Sequence, residues 1–409
     1  MLLRKISKCN KMSCAKSELC LFDHALPQVV VENSVFEEIF PINTISGDNN
    51  SDIEFNIIAS NTDYLDLNDT LLYIQIKVTG SDGKDLAKDV DVTPTNYLFH
   101  TLFKDVVLTL NNEKIEGGNN DYAYKALLET IINYNTDTKK TNLTCIGYDE
   151  SDTNRKGWIA ESKPFNMCGS LQLDFFDQPR YLIPGVNVFL RLKRNNSNFS
   201  LISPVLKPKI ICLESKLYVR RVKVDPSVLI GHQLGLNKMN AVYPYRKSKF
   251  VSYTIAKGSS SFYKDQIFGD TRLPKFILVT FQKASQYSGA YTEDISKYNH
   301  FNVSSITLSR NTDYRESYTQ DFESGNYITT YVSSIIRNMG YLDRNLNNGI
   351  TSTNFKSTYP FFTFVLAPDF DIQQTQLQKQ GNLRIDIKFT SSTDSINLLV
   401  LNKNRTITL

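Results

Sequence analysis

Residues 72–78 read Leu-Tyr-Ile-Gln-Ile-Lys-Val, and every second side chain from Leu72 to Val78 is aliphatic. Successive side chains of a β-strand point to opposite faces, so this period of two predicts a strand with one buried face. A run with the same period, Leu-Arg-Ile-Asp-Ile-Lys-Phe, occupies residues 383–389. The two runs predict a mainly β fold with strands in both halves of the chain.

Further strands are predicted around these runs. Alternation recurs at residues 106–110 and 186–193, and Asn111-Asn112 is typical of a hairpin tip. Continuous apolar runs at 276–281 and 361–366 are typical of strands that are buried on both faces. Antiparallel strands should therefore dominate the fold.

The end of the first half carries a doubled arginine within an alternating run. Leu217 and Val219 lie on one face, and Arg220-Arg221 then breaks the period. A β-bulge at this point would move the inward face onto Val222 and Val224. The sequence therefore predicts a bulged strand.

Two helices are predicted among the strands. Residues 121–134 repeat apolar side chains at intervals of three and four behind an Asn/Asp cap, which indicates an inserted helix. Asp225-Pro226 has an N-cap carboxylate followed by proline at the first helical position, with Val228, Leu229 and His232 on one side. This second helix is expected to connect two domains.

Length and composition favour two folded domains. A chain of 409 residues can bury two cores, and 41% hydrophobic with 22% charged residues is the balance of a globular protein. We expect a basic N-terminal arm at 1–25, a first β domain at 26–224 with the helical insertion near 121–134, and a second at 225–409 that begins with the connector helix.

Secretion and membrane insertion are not expected. Lysines interrupt the first 21 residues before an apolar run of about seven appears, and no segment is long and apolar enough to span a bilayer. Six dispersed cysteines favour a reducing compartment. Asn-x-Ser/Thr triplets such as those at Asn68, Asn142, Asn198 and Asn302 are then expected to be turn chemistry and not glycosylation sites.

Neither catalysis nor cofactor binding is expected. The four histidines, His24, His100, His232 and His300, are too widely spaced for metal-binding pairs, and none lies in a nucleophile motif. Glycine-rich phosphate loops are missing. We therefore predict no catalytic residues, no cofactor and no small-molecule substrate.

For two sets of candidate metal ligands, a structural role is a better interpretation than metal binding. The carboxylates Asp63, Asp66 and Asp69 lack the glycine and terminal glutamate of a calcium loop, and are expected to serve as turn formers and caps. The other set has irregular spacing without a Cys-x-x-Cys knuckle, and consists of Cys9, Cys14, Cys20 and His24. We predict no metal site.

The arm is the one candidate for contact with nucleic acid. The net charge of only +4 excludes a molecule that is basic throughout, so such a contact must be local. Five basic residues of the arm are candidates for facing packaged DNA: Arg4, Lys5, Lys8, Lys11 and Lys16. A solvated tail is the commoner meaning of such a run.

There is a hint of internal duplication. Residues 53–59 resemble 250–256, and a glycine-led strand at Gly185 resembles one at Gly381. The offsets are nearly equal, 255 − 58 = 197 and 381 − 185 = 196. Tandem β domains would produce these offsets, and so would a coincidence between generic strands.

The sequence resembles the major capsid proteins of Polinton-type elements and adintoviruses, and is more distantly similar to virophage capsid proteins and adenovirus hexon. The resemblance covers most of residues 26–400 and rests on seven stretches in order. They are 63–67 before the strand 71–78, Pro-Thr-Asn-Tyr-Leu-Phe-His-Thr-Leu-Phe at 94–103, 122–130, Arg-Tyr-Leu-Ile-Pro-Gly-Val at 180–186, 216–222, 321–327 and 379–384.

This resemblance implies two tandem eight-stranded antiparallel jelly rolls with short helical insertions, a double jelly roll. It also implies homotrimeric, pseudo-hexagonal capsomers in an icosahedral shell around double-stranded DNA. The implied partners are neighbouring capsomers, a penton protein with a single jelly roll and minor capsid proteins. The implied location is the virion, assembled inside the host cell. The long inserts at 137–165 and 282–300 are expected at the outer tower or the trimer seam.

Three alternatives remain open at this point. A β-sandwich carbohydrate-binding or adhesion module would use the loops rich in tyrosine and asparagine. A carbohydrate-active enzyme would need two carboxylates that face one another in a cleft. A host-resident copy would fold without forming particles.

Overall fold

Antiparallel sheets carry the fold of this protein. The computed structural model describes residues 29–43, 51–88, 90–269, 272–311, 314–340, 347–366, 379–390 and 394–408. Within these ranges, four sheets of four strands each account for the long strands, two in either half of the chain. A fifth, two-stranded sheet pairs Thr93–Pro94 with Leu201–Ile202.

The first half forms two facing sheets. Its eight long strands are β1 (Val31–Ile39), β2 (Ile53–Ile57), β3 (Asp63–Thr79), β4 (Phe103–Leu110), β5 (Glu113–Glu116), β6 (Phe165–Gly169), β7 (Val188–Arg194) and β8 (Lys209–Val224). One sheet has the order β1-β8-β3-β6 and the other the order β2-β7-β4-β5. Eight strands shared in this way between two sheets form a jelly roll.

The second half repeats this topology. Its strands are β9 (Tyr243–Ile255), β10 (Ser261–Asp265), β11 (Phe276–Lys283), β12 (Val303–Arg310), β13 (Tyr314–Thr319), β14 (Phe362–Val365), β15 (Leu383–Phe389) and β16 (Ile396–Thr408). The sheet orders are β9-β16-β11-β14 and β10-β15-β12-β13. Adding eight to each strand number of the first half reproduces them, so the predicted double jelly roll is confirmed.

Short helices fill the connections between strands. They are α1 (Leu98–Thr101), α2 (Tyr122–Asn133), α3 (Thr136–Lys140), α4 (Asp152–Ile159), α5 (Ser197–Ser200), α6 (Pro226–Leu236), α7 (Ala284–Ser288), α8 (Ile328–Tyr331), α9 (Ser352–Ser357), the 3-10 segments Asn142–Ile146 and Ala160–Ser162, and a π-helical turn at Val332–Arg337. Only α2 and α6 were expected. The others are shorter than the two or three turns over which a helical period becomes visible.

Both predicted helices form where the sequence places them. The Asp225 carboxylate caps α6 by accepting a hydrogen bond of 2.8 Å from the Ser227 amide. Val228 and Leu229 pack against a small cluster of Tyr64, Val222 and Val224. The Asp121 side chain precedes α2 but forms no capping hydrogen bond with it.

Two local predictions are confirmed in the strands. Asn111 and Asn112 form the turn between β4 and β5 with φ of 44° and 70°, the left-handed conformation that a tight hairpin requires. The register of β8 against β3 shifts between Tyr218 and Arg220, and Val222 is then buried. The inward face therefore moves onto Val222 at the doubled arginine as predicted, although the extra residues of the irregularity, 67–70, lie on β3.

The sheet β9-β16-β11-β14 is covered on both faces. Every residue of β14 and all of β11 except Lys283 are buried, which explains their continuous apolar sequences. One face contributes to the core of the second jelly roll, and the other packs against α2 of the first. The Tyr124 ring of α2 stacks on Tyr287 at 4.6 Å and on Phe250 at 5.5 Å, measured between ring centroids. We call this contact the seam.

The internal duplication is real at the level of topology, but half of its sequence support was coincidental. Gly185 and Gly381 precede β7 and β15, the seventh strand of each jelly roll. Residues 53–59 include β2, the second strand, whereas 250–256 end β9, the first strand of its jelly roll. Short alternating sequences match easily without occupying equivalent positions.

Candidate functional site

One outer sheet surface carries exposed aromatic side chains. On β1, an edge strand of the first jelly roll, Phe36 is 58% exposed, and Phe40, the residue that follows the strand, is 59% exposed. The neighbouring strands contribute exposed Leu71 and half-buried Tyr73 and Tyr218. We call these five residues the aromatic face. An exposed apolar surface of this kind marks an interaction site more often than a solvent face.

Strand register places these side chains side by side. Glu38 of β1 lies opposite Tyr218 of β8, which lies opposite Leu71 of β3. One step along, Lys216 lies opposite Tyr73 and holds its ammonium 5.5 Å from the centre of the Phe40 ring. The aromatic face therefore spans three strands, with Glu38, Lys216 and Arg220 interspersed among its apolar side chains.

Ion pairs frame the aromatic face. The Arg220 guanidinium lies 3.1 Å from the Asp66 carboxylate and 2.7 Å from that of Asp69. Burial raises the pKa of Asp66, with Asp69 acting in the same direction and Arg220 opposing them. Asp63 accepts hydrogen bonds from the hydroxyls of Ser60 and Thr62. All three acids belong to β3, so they serve as strand residues with local partners and not as the turn formers expected.

The second jelly roll exposes the outer face of its other sheet, β10-β15-β12-β13, and this face is polar. Across β10, β15, β12 and β13 it presents Ser261, Lys388, Ser305 and Thr319 in one row and Tyr263, Asp386, Thr307 and Ser317 in the next. The guanidinium of Arg384 lies 5.1 Å from the centre of the exposed Tyr263 ring. This is the ordinary composition of a sheet face in water. The sheet of the second jelly roll that is equivalent to that of the aromatic face, β9-β16-β11-β14, is instead covered by α2.

The connector helix α6 exposes a second apolar surface. His232 lies on its inner side, where the imidazole Nδ1 and the Tyr64 hydroxyl are 2.7 Å apart. On the outer side Ile230 and Leu234, one turn apart, are exposed. The helix therefore has apolar side chains on both sides, and only the inner ones are covered.

A charged cluster is buried at the seam. The Lys125 ammonium of α2 lies 2.6 Å from Glu116 and 2.8 Å from Asp174, and all three side chains are largely buried. Asp174 also accepts a hydrogen bond of 2.7 Å from the backbone amide of Ser248 on β9. The Ser248 hydroxyl donates to Glu129 at 2.7 Å. The cluster therefore joins the two jelly rolls.

Burial and mutual repulsion shift the pKa values of this cluster. The pKa of Asp174 is raised to about 7, first by burial and then by Glu116 and Glu129, against the opposing effect of Lys125. Burial alone would lower the pKa of Lys125, but the attraction of Asp174, Glu116 and Glu129 outweighs it and holds that pKa above its ordinary value. The lysine therefore stays charged while Asp174 titrates near neutrality.

Stability should depend on pH through Asp174. Its folded-state pKa lies above the unfolded value, so its contribution is complete below about pH 4 and is lost as the pH rises through about 7. The free energy of unfolding of the wild type should fall by at most about 1.4 kcal/mol per pH unit between these pH values, and Asp174→Asn should remove this fall. Urea unfolding between these pH values measures it. Asp82→Asn, in an exposed turn, is the control, and parallel pH profiles for Asp174→Asn and the wild type would contradict the assignment.

The sequence did not reveal the aromatic face or the seam cluster. In residues 31–42 apolar side chains occur on both faces of β1, so no period of two appears. The members of the cluster come from residues 116, 125, 129 and 174, and no motif relates them. Only folding brings these positions together.

The histidines and acids assemble no metal centre in the described ranges. Burial lowers the pKa of His100 to about 3 and that of His300 to about 4, so both are neutral, His100 in the core and His300 half-buried. No cluster of three or more His, Cys, Asp or Glu side chains suited to a metal occurs among the described residues. The basic arm residues Arg4, Lys5, Lys8, Lys11 and Lys16 and the candidate ligands Cys9, Cys14, Cys20 and His24 lie outside the described residues.

The long inserts at 137–165 and 282–300 lie together. Lys139 and Arg155 of the first and Asp294 and Lys297 of the second line one cavity. Their placement at the outer tower or at the contact between the subunits of a trimer remains a prediction. None of the helices within the described ranges is long and apolar enough to cross a membrane.

The geometry defines a protein with tandem jelly rolls, and comparisons with solved structures agree. The chain is similar to a chain of the Sputnik virophage, with a TM-score of 0.61, 12% identity and coverage of 96% of this chain and 90% of that chain. It is similar to the Faustovirus major capsid protein, with a TM-score of 0.59, 11% identity and coverage of 96% and 92%. For a chain of the PBCV-1 virus capsid the values are 0.58, 12%, 94% and 96%.

Sequence comparisons add less. No family model matches the chain. An uncharacterized protein of Caenorhabditis elegans is 31% identical over 165 residues, which are 36% of this chain and 38% of that protein. The match therefore spans well under half of that relative. At 11–12% identity the structural likeness shows the fold, which this chain shares with viral major capsid proteins.

Proposed function

We propose that this protein is a major capsid protein that acts by assembly and not by catalysis. The observation that carries the proposal is a double jelly roll that matches viral capsid chains over at least 94% of its length. The aromatic face supports it, because a protein that works alone has no use for such a surface. The proposed location is the virion.

We propose further that three copies form a pseudo-hexagonal capsomer. Six similar lobes can tile the faces of an icosahedral shell around a double-stranded DNA genome. In a threefold ring each copy contacts the next through two different surfaces. The aromatic face, with its frame of Arg220, Asp66 and Asp69, is proposed as one of these surfaces, and a second copy of this chain is its occupant.

The domain division and the arm complete the proposal. Residues 26–224 and 225–409 are proposed as the two lobes, and residues 1–25 as an arm on the inside of the shell. Its five basic side chains, Arg4, Lys5, Lys8, Lys11 and Lys16, would neutralise phosphates of the packaged DNA weakly and without sequence preference. Penton and minor capsid proteins are the other proposed partners.

The proposed source is a Polinton-type or adintovirus-type element. The ordered motifs, from 63–67 to 379–384, support this assignment. A relative encoded by a nematode also fits an element whose copies reside in animal genomes. A copy of the capsid gene that resides in a host genome would encode the same fold without forming particles. The assembly experiment separates this alternative from a functional capsid protein.

Replacing Phe36 and Phe40 tests the assembly surface. We expect the purified protein to be trimeric at micromolar concentration in native mass spectrometry and to form hexagonal capsomers in negative-stain images. The double variant Phe36→Ser/Phe40→Ser should shift the trimer towards monomer by at least about tenfold in dissociation constant, because central aromatic contacts dominate interface energies.

A matched control lies on the polar outer face. Tyr263→Ser removes an exposed ring from the second jelly roll and should leave the trimer unchanged. Circular dichroism should show the same fold for all variants, since these rings are exposed. A wild-type protein that is monomeric at this concentration would count against the capsid proposal. A trimeric double variant would count only against the aromatic face as its interface.

A further inference from the structure

The buried cluster at the seam holds an amine and a carboxyl group in direct contact. The Lys125 ammonium lies 2.8 Å from Asp174 Oδ1 and 2.6 Å from Glu116 Oε1, and the three side chains are at most 11% exposed. An amine that is fixed against a carboxyl group can condense with it to an amide when a proton acceptor is at hand. The capsid proposal assigns these groups no chemical role.

Asp174 is the carboxyl group suited to attack. It is partly protonated near neutrality, because burial and the neighbouring glutamates raise its pKa to about 7. A protonated carboxyl group can lose its hydroxyl, whereas a carboxylate resists attack. The other oxygen, Oδ2, accepts a hydrogen bond of 2.7 Å from the backbone amide of Ser248. A donor in this position stabilises the negative charge that develops on the oxygen when the carbon is attacked.

Glu116 is placed to act as the base. Its Oε1 atom lies 2.6 Å from the Lys125 ammonium, so it can take a proton from the nitrogen during the attack. The backbone amides of Asp174 and Phe175 donate to the two oxygens of Glu116 at 3.0 and 3.2 Å. These hydrogen bonds hold the carboxylate beside both reacting groups.

The lysine must lose a proton before it can attack. Attraction to the carboxylates holds the pKa of Lys125 above its ordinary value, so the ammonium is the resting form. One proton can pass along the 2.8 Å hydrogen bond to Asp174, because the pKa of that carboxyl group is itself raised. The reactive pair is therefore a minor form, and we expect the reaction to be slow and to occur once per chain.

We propose that Lys125 and Asp174 form an intramolecular isopeptide bond. A first proton passes from Lys125 Nζ to Asp174 Oδ1, the nitrogen attacks Cγ, and Glu116 carries a second proton from the nitrogen to Oδ1. The Cγ–Oδ1 bond breaks and one water leaves, while the third proton stays on the new amide. A cavity of about 470 Å³ that all three residues line receives the water.

The bond would fasten the helix that joins the two jelly rolls. Asp174 lies 174 − 125 = 49 residues after Lys125, in the connection between β6 and β7. Tyr124, next to Lys125 on α2, stacks on Tyr287 and Phe250 across the seam. A cross-link from α2 to its own domain would hold this contact in place. The bond does not depend on the capsid role, because the three reacting residues belong to a single chain.

The mass of the intact protein tests the bond. Purified full-length protein is kept at neutral pH, sampled over several days and measured by mass spectrometry. We expect each chain to end with one water missing, and a digest to contain a branched peptide that joins Lys125 to Asp174. A chain that keeps its full mass while circular dichroism shows it to be folded overturns the proposal. A branched peptide that joins Lys125 to Glu116 does so as well.

Two conservative variants assign the roles. Glu116→Gln removes the base and should slow the loss of water by at least about a hundredfold. Asp174→Asn offers an amide in place of the acid, so this chain should lose ammonia in place of water while the same two positions are joined. An unchanged rate in Glu116→Gln overturns the role of the base, and loss of water from Asp174→Asn overturns Asp174 as the group attacked.

An exposed ion pair in the same digest is the matched control. Lys77 and Asp85 also hold nitrogen and oxygen 2.8 Å apart, but their side chains are 29% and 61% exposed. No branched peptide should join them, and one formed in similar yield would overturn the role of the buried cluster. The pH dependence of stability and the effect of replacing Lys125 are measured on freshly folded protein, before the bond has formed.

Discussion

Replacement of Lys125 by methionine is expected to lower the free energy of unfolding by about 3–5 kcal/mol. The substitution leaves Glu116 and Asp174, whose carboxylates lie 2.6 and 2.8 Å from the ammonium, buried beside each other without a counter-charge. Glu129 adds a third negative group to the same site. Urea unfolding at pH 7, followed by fluorescence and circular dichroism, measures the loss.

A compensated variant and a surface control make this result interpretable. The triple variant Lys125→Met/Glu116→Gln/Asp174→Asn leaves Glu129, 3.8 Å from the Lys403 ammonium, as the one charged member of the cluster and should recover much of the lost stability. Lys84→Met removes an exposed ammonium 3.7 Å from Asp82 and should change stability by less than about 0.5 kcal/mol. If Lys125→Met is as stable as the wild type, the carboxylates do not depend on the lysine.

Replacement of Tyr124 by alanine is expected to cost about 3–5 kcal/mol and to uncouple the two jelly rolls. The ring is buried between Tyr287 and Phe250, meets Phe199 edge-on at 5.4 Å, and its hydroxyl donates to the Tyr287 carbonyl. Because these contacts span the seam, the cavity left by the substitution lies between the domains. Differential scanning calorimetry should show one broad or double transition in place of a single cooperative one.

Tyr124→Phe separates packing from hydrogen bonding at the same position. It keeps the stacked ring and loses only the hydroxyl, so a cost of about 1–3 kcal/mol with a single transition is expected. An alanine variant that unfolds in one transition at the wild-type temperature would show that Tyr124 does not couple the domains.

Local sequence was sufficient for the regular elements. Residues 72–78 and 383–389 became β3 and β15 because period-two alternation matches the geometry of a strand with one buried face. The helix predicted at 121–134 formed at Tyr122–Asn133, and the inward face of β8 shifts onto Val222 after the doubled arginine as expected. Each of these predictions depends on neighbours within a few residues.

Other features were misjudged because their partners are distant in sequence. The strand β3 begins at Asp63, nine residues before the alternating run, because Arg220 on β8 pairs with Asp66 and Asp69 and makes acidic residues acceptable in a strand. The resemblance between residues 53–59 and 250–256 paired strands that are not equivalent in the two jelly rolls. Strand order in a sheet is a long-range property.

The sequence by itself determined those strands and helices that carry a clear period, turn or cap, since these features rest on contacts within about one turn or one hairpin. Only the tertiary structure decided that Lys125 contacts Glu116 and Asp174, that the aromatic face spans three strands, and that a cavity lies between the inserts. Their members come from separate strands and loops, and only the burial of two apolar cores positions those elements against one another.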